Sequence, residues 1–352
     1  MKSLIAVLIA FISIIASSLF LTNLLRKKEE ANAPKQKVYF DMDGNCDDMV
    51  AFLILLNLKN IDIVGVSIVP ADCEIEPAKE FVTKILTKKG INAPVLESDV
   101  TPVNDFPQEW KELTLKTTYL PTLLNIEYNK ENELDIDGSE HMYLTAKDIY
   151  EKNKEKTTIL MTGPPSTLTK ALKAHPDMKD YIEEVFWMGG AIDVMGNVGE
   201  SPYSEYNAYW NPDDTKSFIE SGLEIKVLSL DSTNSIPVDK NLLSKLSKIK
   251  KYEAANLVTE LFAIAYWIAD DGTVQYYAWD CLATMALGFD DLITFEEAEV
   301  DVIIEKKATD NQQGRILKKK GSGHFIKYGK PLDDNSLQKF YDYFLKTLKY
   351  NY

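Results

Sequence analysis

The chain is poor in the residues that staple a fold or do chemistry alone. It has three cysteines in 352 residues, Cys46, Cys73 and Cys281, an odd set without CxxC spacing. That excludes a disulfide framework and a cysteine-rich zinc site. Its three histidines, His141, His175 and His324, lie far apart, and none stands in an HExxH-type arrangement. Positive charge is short as well: 39 lysines and arginines face 54 acids, a formal net charge of −15. Such a balance argues against a nucleic-acid backbone or an acidic lipid surface as partner. It suits a neutral small molecule or a cation. There is no internal repeat, and the 45 % apolar and 26 % charged content is ordinary for a globular protein.

The N-terminus stands apart. Residues 4–25, LIAVLIAFISIIASSLFLTNLL, carry no charge and are followed by RKKEE. Roughly 20 apolar residues suit a signal peptide or a membrane span. Ala31-Asn32-Ala33 has the A-x-A form of a cleavage site, but Pro34 follows it and charged residues separate it from the apolar run. The reading favours an uncleaved anchor, and so a membrane-anchored or secreted protein. Arg26-Lys27-Lys28 would hold the main domain in the cytoplasm by the positive-inside rule, whereas a secretory signal would put it outside. Residues 1–35 are therefore expected to be a signal or anchor with its linker, and 36–352 one domain.

From Lys37 onward strand and helix patterns alternate. KVYFD, IDIVGVSIV, APVLES, KTTILMTG, EEVFWM and LEIKVLSLD read as strands. DDMVAFLILLNLK, PAKEFVTKILTKKG, STLTKALKAHP, DDTKSFIESG and NLVTELFAIAYWIADDG read as helices. The stretch from about 105 to 140 reads as an acidic insertion or lid. Near-continuous apolar strands joined by helices predict an α/β fold: an open, mostly parallel Rossmann-like sheet flanked by helices. In such sheets ligands bind at the carboxyl ends of the strands. Asp41 and Asp43, Asp72, Thr162-Gly163, Gly189-Gly190 and Asp231 through Asn234 fall there.

DMDGNCDD, residues 41–48, gathers four aspartates between a strand and a helix. An acidic turn with helix-capping acids accounts for Asp47 and Asp48. It does not account for Asp41 and Asp43 at the end of a buried strand, where an unpaired charge is expensive. Several carboxylates facing one point suit a hard cation, Ca²⁺ or Mg²⁺. FDMDGN also resembles the DxDG opening of haloacid-dehalogenase-type Mg²⁺ phosphatases, although the doubled Asp47-Asp48 is foreign to that pattern.

DMDGNCDD resembles more closely the DxDxxxDD signature of inosine-uridine-type nucleoside hydrolases. VPADC, MTGPPSTL, MGGAIDVMGNV, SEYNAYWNP, LDSTNSIPV and YYAWDCLA agree with that family in the same order. DGN, the aspartate of PADC, FPQEW and AWD resemble its purine-specific, inosine-adenosine-guanosine-preferring branch. The resemblance implies Ca²⁺-dependent hydrolysis of purine ribonucleosides to base and ribose. It implies Asp43, Asp48, the main-chain carbonyl of Thr162 and Asp280 as Ca²⁺ ligands, with Asp43 also the base toward the attacking water. Asp47, Asn197, Glu205 and Asn207 resemble the residues that grip the ribose hydroxyls, Asp47 at the 2′-OH. Asn45 and Asp72 match positions that hold the nucleoside.

The family's usual histidine before the distal aspartate is Trp279 here, and the purine branch stacks the base between two indoles. Trp110 and Trp279 are the candidates. No basic cluster is available for a phosphate, which favours nucleosides over nucleotides. The family's dimers and tetramers imply a homodimer. The loop between Asn197 and Glu205 departs in length from the family, and Pro165 adds a second proline to the TGPPST turn. Two other readings stand beside this one: the DxDG phosphatase, and a non-catalytic nucleoside-binding protein.

Overall fold

β-Branched and aromatic residues dominate the segment that becomes β1 (Gln36–Met42), and all of it from Val38 onward is buried. The computed structural model of the chain describes residues 35–269 and 275–352. The chain divides into two compact units, Met1–Gln36 and Lys37–Tyr352, and the fold is that of the second. Residues 4–25 lie outside the described residues. No helix among the described residues is long and apolar enough to cross a membrane. That finding corrects the expectation of a membrane-anchored or secreted protein, which rested on the apolar run, its A-x-A site and its basic flank.

Nine strands form one sheet: β1, β2 (Ile61–Ile68), β3 (Val95–Glu97), β4 (Thr157–Met161), β5 (Ile182–Met188), β6 (Ile225–Leu228), β7 (Phe295–Val302), β8 (Ile316–Lys318) and β9 (Phe325–Gly329). Their order is β3-β2-β1-β4-β5-β6-β9-β7-β8. The pairs β2–β3, β1–β4, β4–β5, β5–β6 and β6–β9 are parallel. Only β7 runs against its neighbours, β9 and β8. The expected mostly parallel α/β sheet is borne out.

Side chains alternate between the faces with a period of two, as strands require. Val38, Phe40, Met42, Leu160, Phe186 and Leu228 enter one apolar core. Tyr39, Ile159, Met161, Trp187 and Val227 enter the other. Helices Cys46–Leu55, Ile75–Lys89, Glu253–Ala269, Trp279–Gly288 and Asp334–Thr347 cover the first face. Helices Gly138–Asn153, Ser166–Ala174 and Pro212–Ile219 cover the second. Burial on both faces is why the strands read as near-continuous apolar runs.

Three differences from the sequence reading have physical causes. The stretch 105–140 is not a bare lid: it folds into helices Gln108–Lys111, Leu113–Thr117 and Pro121–Leu124 and enters helix Gly138–Asn153. That last helix was hidden because its buried residues are few and interspersed with polar ones. The strand expected through Asp231 stops at Leu228 and turns into helix Leu230–Thr233. There the hydroxyls of Ser232 and Thr233 each donate to the Ser229 carbonyl at 3.1 Å, a local bond that competes with the ladder.

The chain passes from β1 to β2 on one side, and β4 then joins β1 on the other. The carboxyl ends of β1 and β4 are therefore a topological switch point, where adjacent connections diverge and leave a crevice.

Candidate active site

The loop after β1 delivers the acids through a helix cap. Asn45 is the N-cap of helix Cys46–Leu55, and Asp48 is its third residue. The Asn45 side chain accepts from Cys46 N at 2.7 Å, and Asp48 Oδ2 accepts from Asn45 N at 3.0 Å. This reciprocal capping fixes where the first turn points. Asp48 Oδ1 also accepts from Asp43 N at 3.2 Å and from the Thr162 hydroxyl at 2.6 Å. One carboxylate thus ties together the end of β1, the helix start and the end of β4.

Asp280 arrives from the first turn of helix Trp279–Gly288. Carboxylate oxygens of Asp47, Asp48 and Asp280 lie within 4.8 Å of one another, and all three residues are buried. Asp43, equally buried, abuts Asp48. Gly163 makes that approach possible, since a Cβ there would sit 2.8 Å from Asp43 Cβ. Among the described residues no lysine, arginine or histidine forms an ion pair with any of these four acids. Burial, followed by the charges of Asp48 and Asp72, pushes the Asp43 carboxyl well above its usual value. Burial and then Asp47, Asp48 and Asp43 do the same to Asp280. Asp47 is pushed up to about 7 by burial and by Asp48, against hydrogen bonds from Tyr276 and Asp280. Asp48 is raised by burial, less far because so many donors face it. Behind them Asp41 is raised to about 7 by burial, with Ser67 and Thr167 hydroxyls opposing.

Ionised carboxylates packed this way cost several kcal/mol each unless a cation neutralises them. An all-oxygen donor set suits a hard cation. The cluster can hold a metal ion. Among the described residues, two buried oxygens beside it have no partner, Asn207 Oδ1 and Asp72 Oδ1. Such atoms keep acceptor capacity that the protein does not use.

Around the acids lie the other sequence-nominated residues. Glu205 caps the short helix Tyr206–Trp210, accepting from Asn207 N at 2.9 Å and Ala208 N at 3.3 Å, and from Gly190 N at 2.8 Å. Burial still lifts its carboxyl to about 7. Asn207 donates to the Thr162 carbonyl at 2.9 Å and the Met188 carbonyl at 3.1 Å. Asn45 Nδ2 donates to Asp72 Oδ2 at 2.8 Å and approaches the Trp110 carbonyl at 3.5 Å. Asn197 is exposed and joins only through the Tyr206 N–H, which donates to its Oδ1 at 3.1 Å.

Aromatic side chains approach from two sides. Trp110 packs against Tyr206, with centroids 4.7 Å apart, and against Phe106 at 6.3 Å. Trp279 packs against Tyr276 at 4.9 Å and Tyr277 at 5.6 Å, and its indole N–H donates to Asn234 Oδ1 at 3.1 Å. The Tyr276 hydroxyl donates to Asp47 Oδ1 at 2.6 Å. Tyr276 and Tyr206 were missed as individual residues, although YYAWDCLA and SEYNAYWNP contain them, while Asn234 was placed only at the end of a strand. The signal was present in the motif and absent at the level of side-chain contact. None of the histidines contacts the cluster: His175 stacks on Tyr143, His141 meets Tyr39, and His324 approaches Glu220.

Residues 38–336 match the family described as inosine-uridine preferring nucleoside hydrolase. Uridine nucleosidase 1 of Arabidopsis thaliana is 22 % identical over 278 residues, 76 % of this chain and 78 % of its own. A solved inosine-uridine preferring nucleoside hydrolase of Bacillus anthracis superposes with a TM-score of 0.79 at 29 % identity, covering 89 % of this chain and 99 % of that one. A purine-preferring ribonucleoside hydrolase of Gardnerella vaginalis gives a TM-score of 0.73 at 18 % identity, covering 89 % and 99 %. The chain belongs to the inosine-uridine preferring nucleoside hydrolase family, enzymes that cleave the N-glycosidic bond of ribonucleosides.

Proposed function

We propose that this member of the family hydrolyses purine ribonucleosides, inosine, adenosine and guanosine, to free base and ribose with Ca²⁺ in the acid cluster. The catalytic unit is residues 36–352, acting as a homodimer. The observation that carries the reading is the buried convergence of Asp47, Asp48 and Asp280, with Asp43 against Asp48, at the sheet's switch point, where no described lysine, arginine or histidine pairs with them.

Asp43, Asp48, Asp280 and the Thr162 carbonyl are the proposed ligands. When bound, the cation supplies Lewis acidity, which fixes a sugar diol and makes a water easier to deprotonate. Asp43 is the base that takes a proton from the attacking water. Asp47, oriented by the Tyr276 hydroxyl, accepts from the ribose 2′-OH. Glu205, Asn207 and Asn197 hold the remaining hydroxyls, and Asn45 with Asp72 holds the nucleoside over them. N-glycosidic cleavage passes through an oxocarbenium-like sugar. The surrounding carboxylates favour that developing positive charge.

The departing base needs a proton, and no histidine is at hand to give one. Trp279 with Tyr276, and Trp110 with Tyr206, supply aromatic faces on which a purine stacks. Stacking spreads charge over the ring and makes N7 easier to protonate from solvent. Each aromatic pair contributes on the order of 1 kcal/mol beyond area burial, so stacking assists and does not replace the acid cluster.

The test is release of ribose from inosine, adenosine, guanosine, uridine and cytidine, with Ca²⁺ and with excess chelator. The expected outcome is purine turnover at least about tenfold above uridine, a difference of about 1.4 kcal/mol, lost on chelation. Equal turnover of uridine removes the purine assignment. No ribose from any nucleoside overturns the whole reading.

A further inference from the structure

A groove away from the acid cluster gathers positive charge in a protein that has little to spare. It has a volume of about 310 Å³, enough for a small metabolite. Lys88 reaches it from the end of helix Ile75–Lys89, and Lys250 with Lys251 from the turn before helix Glu253–Ala269. Among the described residues none of these three lysines forms an ion pair, whereas Lys79, Lys84 and Lys216 all do. The lining holds a single acid, Glu253, and its Oε2 accepts from Tyr352 N at 2.9 Å.

The floor is preassembled. Asn256 Nδ2 donates to Thr122 Oγ1 at 2.8 Å and to Glu260 Oε1 at 2.9 Å. The first turn of helix Glu253–Ala269 is already capped, because Glu253 N donates to Asn351 Oδ1 at 2.9 Å and Ala254 N to the Tyr350 carbonyl at 3.3 Å. Attraction for an anion therefore comes from the lysines and not from the helix end. Two further donors are unused among the described residues: the Asn125 amide, and the Tyr352 hydroxyl, which is buried without a partner. Three ammonium groups against two carboxylates, Glu253 and Glu260, both already engaged, with neutral donors beside them, match a compact anion better than any cation or apolar ligand.

We infer that this groove binds a phosphate group, either inorganic phosphate or that of a small phosphate ester. The sequence shows no basic cluster beside the family motifs. Folding assembles one elsewhere, from residues 88, 250 and 251. The site is separate from the nucleoside pocket, and its occupancy does not depend on turnover.

Calorimetric titration of the Ca²⁺-loaded full chain with inorganic phosphate and with ribose 5-phosphate, at physiological ionic strength, tests it. The comparison is a triple Lys88→Met, Lys250→Met, Lys251→Met variant, whose exposed changes leave inosine hydrolysis and melting temperature as controls of the fold. One saturable site, weakened about tenfold or more in the variant, is the expected result. Tighter binding of ribose 5-phosphate assigns the site to an ester; equal binding assigns it to free phosphate. Heat that does not saturate, or that is unchanged in the variant, means an adventitious ion only and overturns the inference.

Discussion

Asp47 and Asp48 are sequence neighbours with different partners, and the difference sorts their work. Asp48 is committed to its surroundings, accepting from Asp43 N, Asn45 N and Thr162 Oγ1. Asp47 faces the Tyr276 hydroxyl and the Asp280 carboxyl, and is not tied to the end of β1 or of β4. Tyr276→Phe removes one hydrogen bond to a carboxylate, about 1.5–3 kcal/mol. The expected loss in kcat/KM for inosine is about tenfold to a hundredfold, with Ca²⁺ affinity retained. Trp279→Ala is expected to do something else: lower the ratio of inosine to uridine turnover while Ca²⁺ still binds. Steady-state kinetics on both nucleosides, with calorimetric Ca²⁺ titration, separates the two. An unchanged ratio in Trp279→Ala removes the stacking account.

Two helix starts and two strand ends make the site, and their junctions tolerate little. Gly163→Ala places a Cβ 2.8 Å from Asp43 Cβ and 3.1 Å from Asp43 N. Overpacking of this kind costs about 1–3 kcal/mol. The expected outcome is weaker Ca²⁺ binding and lower turnover together, since Asp43 has to move. Most of this element-level order was legible in the sequence. The apolar runs gave the parallel strands, and DMDGNCDD lay where a strand meets a helix. What stayed hidden depended on contact between distant segments. Nothing local in YYAWD says that Tyr276 meets Asp47, and nothing in LDSTN says that Asn234 receives the Trp279 indole. β7, β8 and β9 also escaped, because half-exposed strands such as FEEAEVDV carry charge on the outer face. The first-turn acids that a bland reading takes as caps are caps indeed at Asp48. In the proposed site capping and cation binding use the same carboxylate.

At the scale of the whole molecule the buried acids couple stability to pH and to the cation. Burial raises the carboxyls of Asp41, Asp47 and Glu205 to about 7, against about 4 for the unfolded chain. The folded state then binds more protons than the unfolded state. Stability from these groups is fully present below about pH 4 and is lost as pH rises through about 7. A cation held in the proposed site by the neighbouring Asp43, Asp48 and Asp280 would offset the charge that deprotonation leaves. Melting temperatures with excess Ca²⁺ and with excess chelator are therefore expected to lie close together at pH 5 and to separate by pH 7.5. A gap that does not grow with pH detaches the cation from these acids. The distance along the chain between the residue 41–48 loop and Asp280 has a consequence in time. During synthesis the early acids leave the ribosome with helix Trp279–Gly288 still unmade. The nascent chain carries the four acids of the 41–48 loop but not the distant one that completes the proposed cradle. The proposed cradle is completed only when the segment that carries Asp280 docks against the 41–48 loop, so cation binding there would follow the folding of both.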